Sequence, residues 1–74
     1  MSKPEMIPIQ SSFIESIGYL PVEKELQIRF KNGSLYAFYE VPEHTFENLR
    51  DAESKGRFFK MSIERRFQKE KLGP

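Results

Sequence analysis

The amino-acid sequence predicts a single α+β domain, in which a three-stranded antiparallel β-meander is followed by one or two C-terminal helices packed on one face of the sheet. Apolar residues alternate with polar ones in the first half of the chain and recur at helical spacing in the second. A chain of 74 residues suffices for one domain. It has no cysteine, so packing of its seven Phe and three Tyr side chains must hold the fold together.

Three segments have the composition of strands. In residues 11–19, the apolar Ile14 and Ile17 are three positions apart, which breaks strict alternation and indicates a β-bulge beside Gly18. In residues 25–30, apolar and polar side chains alternate, as in a strand with one buried face. Residues 34–41 are apolar or aromatic at nearly every position, which is typical of a strand with little exposed surface.

The turn between the second and third strands leaves two registers open. A two-residue turn at residues 32–33 directs the Tyr36 side chain away from the core. A three-residue loop at residues 31–33, with a left-handed glycine, pairs Phe30 with Ser34 and directs Tyr36 into the core. We favour the three-residue loop because it stacks the largest aromatic side chains on the largest aliphatic ones.

Helical patterns follow the sheet. Pro42 suits the start of a first helix, where its missing N–H is not needed, and an apolar stripe begins at Phe46. Gly56 is expected to end this helix as a left-handed cap. Residues 57–67 predict a second helix.

The packed domain is expected to span residues 11–67, with a flexible N-terminal arm at residues 1–10 and a flexible tail at residues 68–74. No segment resembles a signal peptide or a membrane span, which favours a cytoplasmic protein that does not enter the membrane. The predicted core residues are Ile14, Ile17, Leu26, Ile28, Phe30, Tyr36, Phe38, Phe46, Leu49, Phe59 and Ile63.

The sequence offers no recognisable catalytic or metal-binding motif. Its single histidine, His44, lies between glutamates near the predicted start of a helix and is interpreted as a surface residue. No serine stands in a nucleophile-elbow context, and the glycines are too scattered to form a phosphate-binding loop. We therefore expect a protein that is not an enzyme and that needs no cofactor or metal.

Charge is distributed unevenly, which favours RNA as a ligand. Residues 1–54 carry five basic and nine acidic side chains, whereas residues 55–74 carry seven basic and two acidic ones. Basic side chains interleaved with aromatic ones suit unpaired nucleic acid, because rings stack on bases while cations meet phosphates. The candidate nucleic-acid-binding residues are Arg29, Lys31, Tyr36, Tyr39, Lys55, Arg57, Lys60, Arg65 and Arg66.

A protein-interaction domain or homodimer is the alternative. In the favoured register Leu35 and Tyr39 point outward from the sheet and could contact a partner. The free edge of a three-stranded sheet could pair with another chain.

The pattern of apolar residues and glycines resembles the KTSC domain family, a short module named for its place at the C-terminus of some lysyl-tRNA synthetases. The matching pattern is Ser12-x-Ile14-x-x-Ile17-Gly18-Tyr19, then Leu26-x-Ile28-x-Phe30-x-x-Gly33-x-x-Tyr36-x-Phe38-x-x-Val41-Pro42, then Phe46-x-x-Leu49-x-x-Ala52-x-Ser54-x-Gly56-x-Phe58-Phe59, Ile63 and Phe67. The resemblance implies the fold, and it implies RNA binding only through the family's attachment to a tRNA-handling enzyme.

Three positions depart from the family's pattern. The central Tyr-x-Tyr is Tyr36-Ala37-Phe38 here, and Leu20 replaces the Asp that usually follows Gly-Tyr. A Tyr-Phe-Asn-like segment has become Phe58-Phe59-Lys60. A role that needs those polar groups does not transfer to this chain, whereas a role for an aromatic ring does.

Overall fold

The computed structural model describes residues 3–74 and shows an α+β fold. The elements are β1 (Ile7–Pro8), β2 (Ile14–Leu20), β3 (Glu25–Phe30), β4 (Leu35–Phe38), α1 (Glu43–Asp51), α2 (Lys55–Ser62) and β5 (Lys69–Gly73). The strands form one antiparallel sheet in chain order. Both helices pack on one face of it, here called the inner face, and the opposite face is the outer face.

The β3–β4 hairpin has the three-residue loop that the sequence favoured. The backbone N–H of Phe30 donates to Ser34 O at 2.8 Å, and Ile28 pairs with Tyr36. Gly33 has φ +95°, a conformation that glycine adopts at little cost. The register places Tyr36 and Phe38 on the inner face, as predicted.

A β-bulge in β2 explains the irregular spacing of its apolar residues. Ile14 pairs with Phe30 and Ser16 with Arg29, so the register shifts between Ile14 and Ser16 and not beside Gly18, which pairs regularly with Gln27. The extra residue returns Ile17 to the face that Ile14 occupies, and both isoleucines are fully buried.

The core lies between the inner face and the two helices. Its members are Ile14, Ile17, Leu26, Ile28, Phe38, Val41, Phe46, Leu49, Phe59 and Ile63. Tyr19 stacks on Phe46 at 5.0 Å between ring centroids, and its hydroxyl donates to the carbonyl oxygen of Val41. Phe30 and Tyr36, predicted as core, are half-buried at its margin.

The predicted count of three strands is corrected to five. Residues 69–73, expected to be a flexible tail, form β5, in which Lys69 pairs with Phe38 and Lys71 with Tyr36. β1, within the expected N-terminal arm, pairs with β2. Both added strands cover edges that a three-stranded sheet would leave unpaired. The first two residues of the predicted arm lie outside the described part of the chain.

The helix boundaries also differ from the prediction. α1 ends at Asp51, and Gly56, predicted to cap it, lies inside α2. α2 ends at Ser62 and residues 63–66 form a turn, whereas one helix was predicted across residues 57–67. The turn brings the chain back to the edge of β4, where β5 begins.

The N-terminal segment crosses the outer face beside Gly18. A methyl group at Gly18 would lie 2.7 Å from Met6 Sδ and 2.9 Å from Pro4 Cβ. Pro4 and Met6, together with Leu35 on β4 and Leu72 on β5, line a groove on the outer face. Residues of the expected flexible arm are thus in contact with the sheet.

Candidate nucleic-acid interface

Five aromatic rings meet at the open margin of the inner face and are here called the aromatic cluster. They are Phe13, Phe30, Tyr36, Phe38 and Phe59. The Phe59 ring lies 5.5 Å from that of Phe38 and 5.7 Å from that of Phe30, both edge-on. Phe13 and Phe30 are stacked 6.3 Å apart with planes 9° from parallel.

The cluster has a buried base and an accessible margin. Phe38 and Phe59 are 1% and 2% exposed, so they serve as core. Phe13, Phe30 and Tyr36 are half-buried and leave part of each ring open to solvent. Such rings can stack on a planar ligand while remaining fixed by their buried neighbours.

Lysines surround the accessible rings, and four of them are here called the basic rim: Lys31, Lys60, Lys69 and Lys71. Lys60 Nζ lies 5.1 Å from the centroid of the Phe13 ring, and Lys69 Nζ lies 5.8 Å from that of Tyr36. Both distances allow a cation–π attraction.

The other two lysines of the rim lie in the β3–β4 loop and on β5. Lys31 stands in the hairpin loop and lines a surface recess with Phe13 and Phe30. Lys71 pairs with Tyr36 across the β4–β5 ladder. The rim therefore draws on the hairpin loop, α2 and β5.

Four predicted basic residues on or just after α2 lie beside this surface or away from it. Arg65 shares a recess with Lys60 at the end of α2, next to exposed Arg66. Lys55 Nζ donates to the Ala52 carbonyl oxygen at 2.9 Å, and Arg57 lines a separate recess. Only the Arg65 side of α2 thus adjoins the basic rim.

Two other predicted residues are on the outer face and cannot join the aromatic cluster. Arg29 donates to the carbonyl oxygens of Gly33 and Pro74 at 2.8 and 2.7 Å, which occupies its Nη1. The Tyr39 hydroxyl donates to Glu70 at 2.6 Å, and this bond raises the pKa of Tyr39 to about 12. The phenol therefore stays protonated at neutral pH.

Several residues that complete the surface are not among those predicted from the sequence. Phe13 lies in the first predicted strand segment, Phe30 is a predicted core residue, and Lys69 and Lys71 lie in the expected tail. Residues 69–72 show no alternation of apolar and polar side chains that would indicate a strand. A charged edge strand lacks the apolar face that identifies a buried one.

Gly56 allows Phe13 to reach α2. A methyl group there would lie 2.6 Å from Phe13 Cε1, so Gly56→Ala is expected to displace the ring and destabilise the domain by about 1–2 kcal/mol despite alanine's better helix propensity. Urea unfolding followed by circular dichroism measures this.

Gly73→Ala is the matched control for Gly56→Ala, because no atom of the described part of the chain lies within 4 Å of the added methyl group. The control is expected to change the free energy of unfolding by less than about 0.5 kcal/mol. Equal stability of the two variants would contradict the close approach of Phe13 to the helix.

Within residues 3–74, no three His, Cys, Asp or Glu side chains lie together as a possible metal site. His44 is exposed near the start of α1. In the same range, no helix has the length and apolar character needed to span a membrane.

The chain matches one protein-family model, and it resembles a solved structure over nearly its full length. The model of the KTSC domain matches residues 10–67. A protein from Tsukamurella paurometabola is 46% identical over 63 residues, which cover 85% of this chain and 94% of the relative. The crystal structure of a KTSC domain protein from Yersinia pestis superposes with a TM-score of 0.90 at 40% identity, covering 96% of this chain and all of that one.

A second kind of relative is much longer. A lysine–tRNA ligase from a Nostoc species is 36% identical over 63 residues, and the match covers 85% of this chain and 11% of the ligase. The chain thus corresponds to a small part of that enzyme.

Proposed function

The chain belongs to the KTSC domain family, and on this premise we propose that it is a non-catalytic module that binds unpaired RNA through the aromatic cluster and the basic rim. Accessible rings stack on bases, and the surrounding lysines contact the phosphates on either side. RNA as the ligand agrees with the cytoplasmic location expected from the sequence.

The pairing of lysines with half-buried rings carries this proposal. Lys60 lies over Phe13 and Lys69 over Tyr36. A base stacked on either ring would therefore have its own phosphate near a lysine ammonium. A solvated basic face would place its lysines in water without regard to ring positions. Stacking on an aromatic side chain contributes about 1–3 kcal/mol per base and tolerates any base.

The relatives give associational support. Lysine–tRNA ligases from Nostoc punctiforme and Trichormus variabilis are also 35% identical to this chain over 63 residues. A module joined to an enzyme that handles tRNA is placed where an RNA-binding surface would be useful. Ligase activity itself does not follow, because the match covers only 11% of each ligase.

The rest of the charge distribution should orient the RNA. Residues 1–54 carry a net charge of −4 and residues 55–74 a net charge of +5. Phosphates are therefore attracted to the α2–β5 side and repelled from the acidic part of the chain. Glu64 is an acidic residue within this basic region, and it lines recesses together with Lys60 and with Lys69.

The proposal predicts salt-sensitive binding of a labelled single-stranded RNA of mixed sequence, measured by fluorescence anisotropy. Four lysine–phosphate contacts give a slope of about −3 for log affinity against log salt, or roughly a 50-fold loss between about 50 and 200 mM. Unpaired RNA should compete better than a duplex of equal length, since paired bases cannot reach the rings.

Equal competition by the duplex would argue for charge attraction without stacking. An anisotropy that does not change at about 50 mM salt, with protein well above micromolar concentration, would refute RNA binding altogether.

The alternative of a protein partner is favoured by a different observation. Ile7 on β1 and Leu72 on β5 lie on the two edge strands of the sheet, and their apolar side chains are 40% and 43% exposed. Edge strands with apolar side chains can pair with another chain. A chain that does not bind RNA, yet elutes as a dimer in size-exclusion chromatography with light scattering, would support this second candidate.

A further inference from the structure

A cleft opens between β4, α2 and the start of β5. Its lining residues are Phe30, Tyr36, Phe38, Phe59, Glu64 and Lys69. Phe30 and Tyr36 are half-buried and leave part of each ring open to the cleft, whereas Phe38 and Phe59 are buried beneath it. The cleft thus places aromatic rings beside both a hydrogen-bond acceptor and a cation.

The size of the cleft limits what it can hold. Its volume is about 170 Å³. A cavity of about 150 Å³ accommodates one benzene ring, so this cleft matches a single six-membered ring. A pyrimidine base fits these dimensions, whereas a purine would leave one of its two rings outside.

The two charged side chains distinguish between the pyrimidines. A carboxylate such as that of Glu64 accepts hydrogen bonds, and the Lys69 ammonium donates them. Cytosine offers an amino group, N4, beside the acceptors N3 and O2, so both contacts form without conflict. Uracil offers its N3–H between two carbonyl oxygens, and a carboxylate approaching that N–H would be repelled by both.

We propose that the cleft binds one unpaired pyrimidine base of an RNA strand, with cytosine preferred over uracil because Glu64 accepts from N4 and Lys69 donates to N3 or O2. Lys31, Lys60 and Lys71 contact the phosphates on either side of this nucleotide, and a second N–H of Lys69 contacts the nearer phosphate. The inference rests on the proposed RNA binding and adds to it a defined base site.

The test compares oligocytidine with oligouridine of about ten nucleotides at low salt by anisotropy. The wild-type chain is expected to bind oligocytidine about fivefold or more tightly than oligouridine. Glu64→Ala should reduce this ratio to about one, because loss of the acceptor for N4 weakens the binding of oligocytidine relative to that of oligouridine. Glu64 is exposed and forms no ion pair with any residue from 3 to 74, so the variant should fold normally.

Glu53→Ala is the matched control, because it removes the same charge at an exposed position away from the cleft. It should raise both affinities and leave the ratio unchanged. In a parallel NMR titration, cytidine monophosphate should shift the signals of Tyr36 and Phe59 more than uridine monophosphate does.

The possible failures are distinguishable. Equal binding of the two oligonucleotides, or a ratio that survives Glu64→Ala, would overturn the base site and leave RNA binding intact. If indole shifts the cleft signals and cytidine monophosphate does not, the occupant is an aromatic side chain of a protein, and the base site is wrong. If neither oligonucleotide binds, the proposed RNA function fails together with it.

Discussion

Phe59→Ala is expected to destabilise the protein by about 3–5 kcal/mol, which is the usual cost of deleting a buried phenylalanine ring. Phe59 is 2% exposed, and its ring contacts those of Phe13, Phe30 and Phe38 at centroid distances of 6.2, 5.7 and 5.5 Å. These rings cannot readily fill the cavity left by the deleted ring. Phe30 and Phe38 are fixed in the sheet, and Phe13 lies against Gly56 of α2. A domain of this length is typically stable by only about 4–11 kcal/mol.

Urea unfolding at 25 °C, followed by far-ultraviolet circular dichroism, measures the effect. Met61→Ala is the control, since Met61 lies on the same helix and is 66% exposed. We expect it to change the free energy of unfolding by less than about 0.5 kcal/mol. If the two variants unfolded at the same urea concentration, Phe59 would not be the link between α2 and the sheet.

Strong periodicity allowed the inner face to be predicted from the sequence. The alternation of Leu26, Ile28 and Phe30 defined β3, and the size of the rings on β4 favoured the correct hairpin register. Nine of the eleven predicted core residues are buried, and the two exceptions, Phe30 and Tyr36, are the ones that reach the surface. Those exceptions are informative, because an aromatic side chain at the margin of a core is available to a ligand.

The missed elements share a physical cause. β5 consists of Lys69–Gly73, whose charged side chains give no apolar face, and its pairing with β4 depends on a turn four residues long after α2. β1 has only two residues. Such strands are specified by the open edge of their neighbour and not by their own composition, so local patterns cannot reveal them.

The candidate site was only partly predictable for the same reason. Lys31, Lys60 and Tyr36 were identified from composition, and the fold brings them around one cluster. Arg29 and Tyr39 were grouped with them by composition, although alternation in the favoured register already places both on the face opposite Tyr36. Their hydrogen bonds to Pro74 and Glu70 depend on the C-terminal segment, whose pairing with β4 was not predicted. Lys69 could be added only once β5 was known.

Replacing Lys31, Lys60 and Lys69 with glutamine is expected to weaken binding of single-stranded RNA by about 100-fold or more at about 50 mM salt. Each lysine contributes one phosphate contact, so the slope of log affinity against log salt should also fall by about two. All three side chains are exposed, and none donates a hydrogen bond to the protein among the described residues, so the variant should remain folded.

The most direct measurement is therefore a salt titration of RNA anisotropy for this variant beside a second one, in which Lys3, Lys24 and Arg57 become glutamine. The control loses the same three charges at exposed positions away from the aromatic cluster. The control is expected to keep its salt slope and to lose less than about fivefold in affinity, because distant charges are screened. Equal loss in both variants would show that net charge alone attracts RNA, and would contradict a binding surface built on the aromatic cluster.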